Sequence, residues 1–101
     1  MGQTRLIVLD VLKPHSPSIL ELAERLTTLP GVGGVDITIF EMDRKVENAK
    51  ITLQGEDLQY EEILRVIMDA GGTVHSVDKV QAGRLIVAEA KTPQDTGAQM
   101  R

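Results

Sequence analysis

The feature that most constrains this chain is its first apolar run. From Thr4 to Leu12 it reads TRLIVLDVL, almost continuous in aliphatic and β-branched residues, with one acid, Asp10, near its end. So little alternation suits a strand covered on both faces, and so a place at the centre of a sheet. KPHSPS then breaks the run. Ser16 is expected to cap a helix and Pro17 to take its first position, where a missing N–H costs nothing. From Pro17 to about Leu29, Ile19, Leu22, Ala23, Leu26 and Leu29 form one apolar stripe, with Glu21, Glu24, Arg25 and Thr28 toward water. PGVGG ends that helix as a turn.

Further along, Val35, Ile37 and Ile39 alternate with polar neighbours in a second strand running to about Met42, and the DRK at 43–45 makes a hairpin turn. The third strand, Val46 to Gln54, places Ala49, Ile51 and Leu53 on one face and Asn48, Lys50 and Thr52 on the other. Asp57 is a candidate cap for a second helix with Leu58, Ile63, Leu64, Ile67 and Ala70 buried and Gly71 as its left-handed end. Thr73 to Gln81 reads as a fourth strand. RLIVAEA, from Arg84, supplies a short fifth strand or strand-like arm, and the residues from Thr92 on lack any apolar period. The expected division is one domain over 1–91 and a flexible tail over 92–101.

The order β-α-β-β-α-β, with a weak two-fold echo between LPGVGGVDI and DAGGTVHSV, defines an α+β ferredoxin-like sandwich. Its antiparallel sheet has the first and third strands central, the fourth beside the first, and both helices on one face. Phe40 and Tyr60 are the only aromatics, so the core must be aliphatic. A net charge of −4 offers no attraction for phosphate backbones or anionic membranes, so neither nucleic acid nor membrane is an expected partner. The chain has no cysteine, which excludes disulfides and thiolate chemistry. Its first residues lack the pattern of a signal peptide, and a cytoplasmic location is expected.

One sheet face has no helix over it. Ile7, Leu9 and Val11 can face the helices, which sends Leu6, Val8 and Leu12 to the open side. An apolar patch there points to an interface between copies, with Leu85 and Val87 of the arm as further contacts. A monomer whose own arm folds back over the patch is the alternative.

Asp10 shares the parity of Leu6, Val8 and Leu12. Antiparallel pairing of the first and fourth strands brings the region of His75 beside it, with His15 in the adjacent loop. Carboxylate and imidazole are ligands for a divalent metal ion, so Asp10, His15 and His75 form a candidate metal site, with Lys13 added for a small anionic ligand. Hydrogen-bonded structural histidines, with Asp10 paired to Lys13 or Arg84, account for the same residues. Asp36, Glu41, Asp43 and Glu47 are expected to form a solvated face neutralised by Arg44, Lys45 and Lys50. Enzyme patterns fit poorly: Ser16, Ser18 and Ser76 lack a nucleophile-elbow context, and GVGG opens a strand instead of a helix. The third strand, VENAKITLQ, has no aromatic platform for RNA bases.

LDVLKPHSPSILELA at 9–23, LPGVGGVDI at 29–37, ENAKITLQGEDL at 47–58 and GGTVHSVDKVQAG at 71–83 closely resemble the archaeal domain-of-unknown-function family 211. The resemblance covers nearly the whole chain. It implies a ferredoxin-like domain that assembles into a cyclic homo-oligomer, and it carries over no active-site residue. The function expected is a non-enzymatic oligomeric domain that binds a small ligand or divalent metal near subunit contacts. A metal-dependent enzyme using Asp10, His15 and His75 and a purely structural assembly protein are the alternatives.

Overall fold

The computed structural model describes residues 3–88. The elements run β1 (Thr4–Pro14), α1 (Ile19–Thr27), β2 (Val32–Met42), β3 (Val46–Gly55), α2 (Tyr60–Asp69) and β4 (Thr73–Ala82). They form one antiparallel sheet in the order β2-β3-β1-β4, the ferredoxin-like arrangement, with the apolar β1 run at the centre. The core lies between sheet and helices. Ile7, Leu9 and Val11 of β1 and Ile51 and Leu53 of β3 pack against Leu22 and Leu26 of α1 and Ile63 and Ile67 of α2. Both helices are thus held by one apolar stripe, as their spacing predicts.

The pairing is uneven across the sheet. β1 and β3 keep one unbroken register from Leu6↔Gln54 to Pro14↔Val46. Both outer pairs are interrupted. Gly33 and Phe40 are extra residues in β2, and His75 and Asp78 are extra in β4. At the junction of the two halves, Glu56 N donates to Gly31 O at 2.9 Å. A Cβ on Gly31 would meet Glu56 O at 2.3 Å, and one on Gly55 would meet Gly31 O at 1.9 Å, so this crossing demands glycine at both positions.

Several local expectations shift. The cap of α1 is Ser18, whose Oγ accepts from Glu21 N, and not Ser16; the Ser16–Pro17 peptide is cis and precedes the helix. Ser18 and Glu21 have the S-x-x-E spacing of a capping box, a better signal than the Ser-Pro pair. Glu21 also pairs with Arg25 one turn on. For α2 the cap position is Gln59, which makes no side-chain cap bond, while Asp57 takes a left-handed backbone (φ 55°). Gly71 does end α2 with positive φ.

The expected fifth strand does not form among the described residues: 83–85 bend and 86–88 have no regular structure. Gly83, at φ 105°, turns the chain out of line with β4, and the carbonyls of Gly83 and Arg84 accept from the Arg5 guanidinium at 3.3 and 3.4 Å. The tail expected over 92–101 lies outside the described residues. No helix among those described is long and apolar enough to cross a membrane.

Candidate functional site

Two histidine–carboxylate pairs flank β1, and they sit on opposite faces of the sheet. The regular β1–β3 register makes the alternation reliable: Ile7, Leu9, Val11 and Lys13 face the helices, while Leu6, Val8, Asp10 and Leu12 face the open side. Across from them on β3, Glu47 lies opposite Lys13 and Lys50 opposite Asp10.

On the helix side, Lys13 and Glu47 are buried, with side chains 0% and 4% exposed. Lys13 Nζ donates to Glu47 Oε2 at 3.2 Å and to Pro14 O at 2.7 Å. His15 Nδ1 stands 3.0 Å from the other carboxylate oxygen, Oε1, and its Nε2 is 2.8 Å from Asp43 O. Both ring nitrogens therefore face oxygen atoms. Asp43 closes the hairpin by accepting from Lys45 N and Val46 N at 2.8 and 2.9 Å. The Val46 and Lys45 N–H groups, with help from the nearby His15, hold its carboxyl below the usual carboxylate range.

This network corrects one expectation and dismantles part of another. Glu47 is not part of a solvated acidic face, because its strand parity continues Ala49, Ile51 and Leu53 into the interior. His15 does not join Asp10 and His75. It is turned to the β2–β3 hairpin, and Lys13 is turned inward with its ammonium engaged.

On the open side, Asp10 and His75 do meet. His75 Nδ1 lies 3.5 Å from Asp10 Oδ2, with side chains 75% and 22% exposed. The meeting depends on β4's extra residue: Asp10 pairs with Ser76 and Val11 with Val74, so His75 falls between them. A bulge of this kind re-aims a side chain that regular alternation would point away. Ser76 Oγ donates to Asp78 Oδ1 at 2.7 Å, beside the second irregularity. Asp10 Oδ1 is buried without any hydrogen-bond partner. Neither Lys13 nor Arg84 pairs with Asp10. Among the described residues no group of three or more His, Cys, Asp or Glu side chains could hold a metal ion.

The patch expected around Leu6, Val8 and Leu12 is uneven. Val8 is buried within the single chain and Leu6 half-buried; Leu12 is left 38% exposed. The larger apolar exposure lies in the arm, where Leu85, Ile86 and Val87 are 76%, 57% and 71% exposed. The arm turns toward the open side at the β1 start: Ile86 joins Arg5, Gly33, Gly34 and Gln54 around a shallow hollow of about 410 Å³, and Gln81 Nε2 donates to Val87 O at 3.3 Å.

Comparison with known proteins identifies the family. A family model described as "Uncharacterized ArCR" matches residues 5–96. The chain belongs to domain-of-unknown-function family 211. An uncharacterized protein of the archaeon Methanocaldococcus jannaschii is 48% identical over 95 residues, covering 94% of this chain and 98% of that protein.

Proposed function

We propose that this family member is a non-enzymatic assembly domain whose copies associate through the open sheet face and the arm at 84–88 into a cyclic homo-oligomer. One observation carries the reading: three consecutive aliphatic side chains, Leu85, Ile86 and Val87, stand more than half exposed beside the uncovered face. Their burial by a second copy stabilises association by about 1.5 to 3 kcal/mol for each side chain fully buried. Leu12, on the same face, is also exposed and adds to the surface such a contact can cover. The alternative, a metal-dependent enzyme working through Asp10, His15 and His75, needs three residues to converge, and His15 lies instead with Glu47 and Asp43.

Light scattering over a range of concentrations tests the reading. The expected mass is a multiple of the 11.0 kDa chain, and the double change Leu85→Asp, Val87→Asp is expected to lower it. A single 11.0 kDa species at every concentration overturns it.

A further inference from the structure

We propose that Asp10 and His75 are half of a zinc-type divalent metal site, completed by the same two residues of a second copy packed open face to open face. The second half of the site rests on the self-association proposed above. The first half rests on three features of the single chain.

The first feature is a distance. At 3.5 Å, His75 Nδ1 and Asp10 Oδ2 are too far apart for an N–H···O hydrogen bond. Two donors each about 2.0 to 2.2 Å from a tetrahedral zinc ion stand about 3.3 to 3.6 Å apart, so the observed separation is that of one tetrahedron edge. The second feature is an unmet acceptor. Asp10 Oδ1 is buried with no hydrogen-bond partner although Lys50 stands opposite on β3, so half of this carboxylate lacks the compensation that burial calls for. The third is the β4 irregularity that puts His75 next to Asp10 while leaving the imidazole three-quarters exposed, where an incoming ion can reach it.

The donor set selects the ion. One imidazole nitrogen and one carboxylate oxygen favour zinc and its neighbours over calcium or magnesium, which take oxygen alone. Two donors are too few for a closed site, and the described part of the chain supplies no third. A two-fold contact between open faces doubles the set to two nitrogens and two oxygens, the number a tetrahedral ion takes. Such a contact is isologous, so each copy contributes the same pair.

The test uses the full chain, stripped with a chelator and then titrated with zinc alone by calorimetry, with light scattering in parallel. Uptake of one zinc per two chains, lost in His75→Ala and retained in His15→Ala, is the expected result. Replacing zinc by cobalt is expected to give the intense visible absorption of a tetrahedral centre. One zinc per chain with no change in mass, no uptake, or equal uptake by His75→Ala overturns the proposal. Oligomers that persist in chelator without taking up zinc reject this site while leaving the assembly reading intact. A lone 11.0 kDa species with and without zinc rejects both.

Discussion

The two histidine–carboxylate pairs beside β1 use the same chemistry to opposite ends. In the Glu47–His15 pair both carboxylate oxygens and both ring nitrogens have partners, and Lys13 adds a buried cation. In the Asp10–His75 pair one oxygen has none, and the ring is largely in water. A polar network in which every charged group has a partner ties the β1–α1 loop to the β2–β3 hairpin and holds the fold. An unsatisfied one spends stability without a structural return, which is where a binding role is to be sought.

The contrast breaks most readily at Glu47. Glu47→Ala leaves the Lys13 ammonium buried and unpaired, and is expected to destabilise the chain by about 3 to 5 kcal/mol in urea unfolding. The double change Lys13→Met, Glu47→Leu is expected to recover most of that loss, because it removes the charge together with its partner. If Glu47→Ala unfolds at the wild-type midpoint, the pair is not structural.

His15→Ala is the next largest, at about 1 to 2 kcal/mol, since the ring is partly exposed and the Lys13–Glu47 bond survives. Smaller still is the contribution of Asp43. Its folded pKa is depressed, so its stabilisation is complete above the unfolded value of about 3.9 and is lost as pH falls through the lower folded value. Asp43→Asn keeps an acceptor for the Lys45 and Val46 N–H groups but does not titrate there. Thermal melts on the acid side are therefore expected to show the wild type losing more stability than the variant, and equal losses would contradict this.

At the other pair, His75→Ala is expected to change stability by no more than about 0.5 kcal/mol, the range for an exposed side chain in no network. A loss as large as that of His15→Ala would erase the distinction between the two pairs.

Much of this arrangement was legible in the residues. Strand parity placed Asp10 on the open face with Leu12, and antiparallel pairing of β1 with β4 put His75 beside it. Helix stripes at Leu22, Leu26, Ile63 and Ile67 followed from their spacing alone. What escaped was decided by tertiary pairing. Glu47 read as solvent-facing because charges usually are, and Lys13 as a ligand group or partner for Asp10; yet each extends its strand's inward parity by one step, Lys13 after Val11 and Glu47 before Ala49. Two opposite charges at matching ends of the two central strands were the available signal. His15 lies in a loop, where no periodicity fixes direction, so its turn toward Asp43 could not be read from spacing. The arm read as a strand from its aliphatic composition, but composition does not supply a pairing edge, and Gly83 turns it away.

The broken registers at both rims of the sheet carry a further consequence. A ribbon grows by adding backbone to a flat, regular border, and here the borders are kinked at Gly33, Phe40, His75 and Asp78 while only the central ladder is straight. Fibril-like lengthening, edge upon edge, is therefore disfavoured at high protein concentration, even though greasy side chains are on view.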